Sequence, residues 1–172
     1  MRKLTWLGGL ILVPALLLTA YNATASASTP ASEATEPQHR PLEVYGQDSW
    51  AMQQGIKYWN DLAGRKVISY AGPRMGVEAA NDPHTVAVSV DSLPADTAGV
   101  TAGNVGHSAL AITIDPRFLL QWIVYAHEFG HALGFAHDNG PSYNGVMSYA
   151  SMWDPNPKAD QTLWLSRKPD TY

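Results

Sequence analysis

The spacing of apolar residues divides the chain into a few short elements. Over 48–63, Trp50, Ile56, Trp59 and Leu62 recur at near-helical intervals and Gly64 follows as a stop, which predicts a first amphipathic helix. The runs 66–70 and Thr85–Val90 are β-branched and alternate between apolar and polar positions, as half-buried strands do. A connection rich in Gly, Pro and Asn separates them. The run 109–114 reads as another strand, after which Asp115 and Pro116 offer an N-cap and a favourable first residue for a helix ending near Leu133. That helix is apolar nearly all round and is therefore expected to be buried. Pro155 and Pro157 mark a loop before a short closing helix over 159–167, built around Leu163 and Trp164. The fold class that follows is α+β, with a small twisted mixed sheet packed on the 116–133 helix and on the first amphipathic helix.

The N-terminus has a different pattern. Met1-Arg2-Lys3 is basic, 4–20 is an almost charge-free apolar run, and Ala23-Thr24-Ala25 or Ala25-Ser26-Ala27 offers a cleavage site, which together predict a secretory signal peptide over 1–27. The competing membrane anchor is disfavoured, because the run falls short of a span of about 20 residues and contains Pro14. The expected product is secreted and extracellular, without stable membrane association after cleavage. Residues 28–41 are rich in Ser, Thr, Ala, Pro and Glu without apolar periodicity, as a disordered leader or very short propeptide would be. The remainder, 42–172, suits one domain without internal repeats. Eleven basic residues stand against fifteen acidic ones with no dense basic block, which argues against nucleic acid and leaves a peptide or protein as the simpler partner of a monomer. The absence of cysteine excludes disulfide staples and thiolate metal sites.

The chemistry is concentrated in His127-Glu128-Phe129-Gly130-His131-Ala132-Leu133-Gly134-Phe135-Ala136-His137. On a helix, His127 and His131 lie four residues apart and project from one face toward a single cation. Gly134 can take up the left-handed conformation, end the helix and let the chain double back to present His137 as the third ligand. Three imidazoles leave one of the four tetrahedral positions of zinc open, the arrangement of a catalytic site rather than a closed structural one. Glu128 is rotated about 100° from His127 around the helix, where it would act on water at the metal as a general base. The reaction implied is amide hydrolysis with one catalytic Zn2+. The His-Glu pentapeptide alone is only moderately specific; Gly134, His137 and the segment Gly145-Val146-Met147-Ser148-Tyr149 add the further constraints.

With that segment the chain resembles the metzincin clan of zinc endopeptidases, whose extended histidine motif is followed by a tight turn carrying a methionine beneath the metal. His-Glu-Phe-Gly-His-Ala-Leu-Gly is most similar to matrixins, and Val146-Met147-Ser148-Tyr149 looks more like serralysins and astacins. The resemblance implies that Met147 supports the ligands without binding the ion and that Tyr149 stabilises the oxyanion. It also implies that 98–105 falls where the clan has an edge strand above the cleft, with which a peptide could pair. The resemblance covers most of the mature chain, but only 127–149 is motif-specific. Snapalysin-type peptidases use aspartate as third ligand, at the place where His137 stands here. Without cysteine, the cysteine switch of matrixin precursors is excluded.

Several residues carry weaker readings. Asp138 would orient the turn after His137, bond a ligand from outside, or serve as a plain loop aspartate. His39, His84 and His107 lack the pattern of a structural metal site, and Ca2+ at the loops of Asp91, Asp96 and Asn104 has no recognisable loop motif behind it. The tryptophans other than Trp6 are mostly expected in the core. An alternative to the enzyme is a non-catalytic zinc-stabilised protein-binding module on the same scaffold, which would have no need of Glu128 beside the open position.

Overall fold

The computed structural model describes residues 40–166. The signal peptide, nearly all of the leader, and His39 lie outside the described residues. The elements run β1 (Leu42–Tyr45), α1 (Trp50–Ala63), β2 (Ile68–Gly72), β3 (Thr85–Val90), β4 (Gly99–Ala102), β5 (Leu110–Ile114), α2 (Trp122–Ala132) and α3 (Pro157–Ser166). Five strands form one mixed sheet in the order β2-β1-β3-β5-β4. All neighbours are parallel except β4, which pairs antiparallel with β5 and forms an edge. The α+β class holds, with a strand that periodicity did not predict. The four residues Leu42-Glu43-Val44-Tyr45 are too few to show alternation, yet they occupy the middle of the sheet between β2 and β3.

The inward residues Leu42, Val44, Val86, Leu110, Ile112 and Ile114 share one core with Met52, Ile56 and Trp59 of α1 and Val124, Ala126 and Phe129 of α2. Helix α1 starts at Ser49, whose side chain accepts from the Met52 amide, and stops at Gly64 in the left-handed conformation at φ 65°. Its buried face is Ala51, Met52, Gly55, Ile56 and Trp59, whereas Trp50 is 65% exposed, so the apolar stripe lies to one side of the predicted one. Among the described tryptophans only Trp59 and Trp164 are fully in the core; Trp50 and Trp153 are exposed.

The helix expected over 116–133 is interrupted. Asp115 does act as a cap, but of a single 3-10 turn over Pro116–Phe118, and Gln121 is extended at φ −95° and ψ 93°. An extended residue breaks the ladder of intrahelical bonds, so α2 starts afresh at Trp122. From Ile123 to Gly130 every residue of α2 is buried, as its all-round apolar surface requires. The closing helix starts two residues earlier than expected, with Pro157 as its first residue.

Helices α1 and α2 approach closely at Gly55, where a Cβ would stand 2.9 Å from the Tyr125 Cβ and 3.0 Å from the Ala126 nitrogen. Next to this contact the Trp59 indole donates to the Ala126 carbonyl at 2.7 Å, and its ring stacks on Phe135 with centroids 5.1 Å apart. Alanine at position 55 would gain up to about 1 kcal/mol of helix propensity. Overpacking against backbone costs about 1–3 kcal/mol, so the clash outweighs the gain. We expect Gly55→Ala to lower the stability to urea unfolding by about 1–2 kcal/mol with an unchanged m-value.

Candidate functional site

Each histidine of the motif is set by a different local device. His127 and His131 sit one turn apart on α2; His127 is 5% exposed and His131 lies one turn nearer solvent. After Leu133, Gly134 takes φ 89°, the Gly134 amide donates to the His131 carbonyl, and the Phe135 amide donates to the Gly130 carbonyl. The chain thereby reverses and brings His137 back over the helix as the sequence implied. The Nε2 atoms of His127 and His137 are 3.0 Å apart, those of His131 and His137 3.0 Å, and those of His127 and His131 3.2 Å.

The tautomers follow from what the other ring nitrogens touch. His127 Nδ1 lies 2.7 Å from the Val146 carbonyl and His131 Nδ1 lies 2.8 Å from the Phe135 carbonyl. A carbonyl can only accept, so both imidazoles carry their proton on Nδ1 and turn a bare Nε2 lone pair inward. Two such lone pairs 3.2 Å apart repel, and a cation among them turns that repulsion into coordination. Metal–nitrogen bonds of about 2.0–2.1 Å in a tetrahedron hold their donors about 3.3 Å apart, close to the triangle observed. Burial pushes His127 down to about 4, against the hydrogen bond to Val146, and also lowers His131 and His137. The three rings are thus kept in the neutral form that binds metal. Together, His127, His131 and His137 could hold a metal ion, and they are the one such group of histidines or carboxylates among the described residues.

Glu128 lies in the same cleft, 4% exposed. Burial raises its carboxyl to about 7, opposed by the Thr101 hydroxyl, which donates to Oε2 at 2.7 Å. The backbone of β4 covers the carboxylate from above, since a Cβ at Gly99 would meet Oε1 at 2.8 Å. Tyr149 is 63% exposed and lays its ring on His137 with centroids 3.9 Å apart. Its amide donates to Asn139 Oδ1 at 3.1 Å. Ala95–Ala98, Val100, Phe118, Val124, Met152 and Trp153 complete a cleft of about 830 Å3 around these groups.

Met147 is fully buried and its sulfur fills the space where a Cβ at Gly130 would stand, beside Trp59. Only glycine fits between His127 and His131 at that point on α2. The turn carrying Met147 is held by Asp160 of α3, which is fully buried. Its carboxylate accepts from the Val146 amide with both oxygens at 3.0 Å, from the Tyr58 hydroxyl at 2.5 Å and from the Tyr143 hydroxyl. Tyr143 in turn accepts from the Met147 amide at 3.0 Å. Burial, and then the Asp160 carboxylate, push both phenols far above their ordinary value. Asp138 orients the same turn: its amide donates to the Met147 carbonyl at 3.0 Å and its Oδ1 accepts from Gly140 at 3.0 Å.

Thr101, Asn139, Tyr143 and Asp160 were not singled out in the sequence. Asp160 gave no signal, because one aspartate in a polar helical stretch reads as a solvated residue. Thr101 was in reach, being on the same side of the edge strand as Gly99. The residues considered for other cations do not assemble. Asp91 accepts from the Ser92 amide and Asp96 from the Thr97 hydroxyl, each within its own turn. His107 is exposed, and neither it nor His84 has two further ligand side chains beside it. No family model matches the chain, and no curated protein matches it in sequence.

Titration with Co2+ or Zn2+ against a chromophoric chelator should show one tight equivalent, and His131→Ala should remove it. Replacing Asp160 by Asn takes one acceptor from three donors, so we expect a loss of about 1–3 kcal/mol in urea unfolding. Because Val146 links Asp160 to His127, metal affinity should fall about tenfold in the same variant.

Proposed function

We propose that this chain is a secreted zinc endopeptidase that hydrolyses peptide bonds, with a metzincin-like arrangement of its site. The observation that carries this reading is the meeting of three imidazole Nε2 atoms with a buried glutamate in one open cleft. An all-imidazole donor set suits zinc, and three ligands leave a position for water or substrate. Zinc held by His127, His131 and His137 would supply a Lewis acid that polarises the scissile carbonyl and lowers the pKa of water to about 7.

The remaining steps belong to the protein. Glu128 takes the proton of the attacking water and later passes it to the leaving amine, forming an amine that departs with the C-terminal product. Thr101 occupies Oε2, which leaves Oε1 for the water and fixes the carboxylate plane. Tyr149, packed on His137 at the mouth of the cleft, donates its phenol to the oxygen that becomes negative. The free edge of β4 binds the substrate as an added strand, its main chain meeting the unpaired N–H and C=O groups on the side away from β5. Burial serves the base as well, because a carboxyl raised toward neutrality is a better match for a proton that must be taken and returned near pH 7.

The deciding experiment is the cleavage of casein by protein recovered from culture medium, with and without a zinc chelator. Cleavage should vanish on chelation and return with zinc, and Glu128→Ala should lower it by about 10²–10⁴-fold while keeping one metal equivalent. Metal binding without cleavage of any peptide bond would point instead to a zinc-stabilised binding module. For Tyr149→Phe we expect kcat to fall about 10²-fold at unchanged metal affinity. Full turnover in that variant would return Tyr149 to a structural role.

A further inference from the structure

The wall of the cleft over 95–98 belongs to the loop between β3 and β4, and this loop has no secondary structure of its own. It is held from below by two residues of the turn that follows β5. The Arg117 guanidinium donates to the carbonyls of Ala95 at 2.9 Å, Pro94 at 3.0 Å and Thr97 at 3.3 Å, and through Nε to Asp115 Oδ1 at 2.6 Å. Asp115, 3% exposed, takes the Leu93 amide on Oδ2 at 2.8 Å, and its own amide donates to the Ala98 carbonyl at 3.0 Å. Four of the five guanidinium protons are used, on acceptors that converge from three residues of one loop and one carboxylate. The next residue after Ala98 is Gly99, whose backbone covers Glu128. On its other side Arg117 lies over the ring of Phe118, 5.4 Å from its centroid, and Phe118 tilts against Trp153 across the cleft with centroids 5.7 Å apart.

We propose that Arg117 is a positioning residue: seated on Asp115, its guanidinium gathers the carbonyls of residues 94, 95 and 97 and fixes the cleft wall against which a substrate chain lies. The wall is thereby set by an internal cation of the chain. Lysine cannot replace it, because its three donors radiate from one nitrogen and cannot span this arc of carbonyls while also reaching Asp115. The role in substrate binding rests on the peptidase reading above. The clamp itself does not.

The test compares Arg117→Lys and Arg117→Gln with the wild-type protein in three measurements: amide hydrogen exchange, metal content, and kinetics on a set of quenched peptides. Both variants should keep one metal equivalent, while amides over 92–98 exchange about tenfold faster and those of α2 are unchanged. KM should rise about fivefold to tenfold with kcat within about twofold, since the wall binds substrate and does not touch the reacting atoms. Restoration of slow exchange by Arg117→Lys would overturn the forked geometry in favour of simple charge neutralisation. Unchanged exchange over 92–98 in both variants, or loss of the whole fold in either, would overturn a role confined to the wall. Faster loop exchange with unaltered KM would overturn the part of the wall in substrate binding. If the wild-type protein cuts no peptide, the peptidase reading fails, and exchange over 92–98 still decides whether Arg117 fixes the wall.

Discussion

The backbone of Val146 is the constraint on which the rest of the site depends. Its carbonyl takes the Nδ1 proton of His127 and its amide is grasped by Asp160, so the two peptide planes that meet at its Cα are both held. A metal ligand needs a defined tautomer and a defined ring plane, and both come here from backbone rather than from another flexible side chain. Asp160 then spreads the constraint through two phenols into α1 and into the loop ahead of the turn. Three donors satisfy this buried carboxylate, whereas the same carboxylate short of its donors would be costly. His127 is consequently only as well placed as the contact between α1, α3 and the 143–147 turn.

A second layer of support is apolar. Trp59 lies under α2, stacks on Phe135, meets Trp164 and donates to the Ala126 carbonyl, while Met147 fills the notch at Gly130. These contacts leave little freedom in the vertical position of the helix that carries His127, Glu128 and His131. Large side chains packed at crystalline density do not yield gradually. The small residues Gly55 and Gly130 are where helices and turn come closest, and each is filled by a neighbour rather than by empty space.

The sequence made the centre legible and left its supports hidden. Histidines at a spacing of four and a glycine that can reverse the chain encode geometry directly, so the convergence of His127, His131 and His137 could be read before any coordinates. Strands β3 and β5 and helix α1 were visible because their apolar period is long enough to register. Strand β1 was not, since its membership of the sheet is decided by partners 26 to 42 residues further along the chain. The break at Gln121 escaped because apolar composition continues through it while the backbone does not. Asp160 and Arg117 are single polar residues whose meaning is wholly tertiary. No local pattern distinguishes a carboxylate facing three buried donors from one facing water.

The position of β4 at the margin of the sheet has a consequence for the protein in bulk solution. A row of unsatisfied backbone groups attracts any extended chain, including another copy of the same edge, and so invites unwanted polymerisation. Here the liability is contained by dimensions: the strand is four residues long, glycine stands at its first position and again just past its end at φ 118°, and the cleft shields one side. A guest that follows β4 for longer than that meets the bend at Gly103 and loses register. The edge is therefore long enough to hold a short segment and too short to template a fibre.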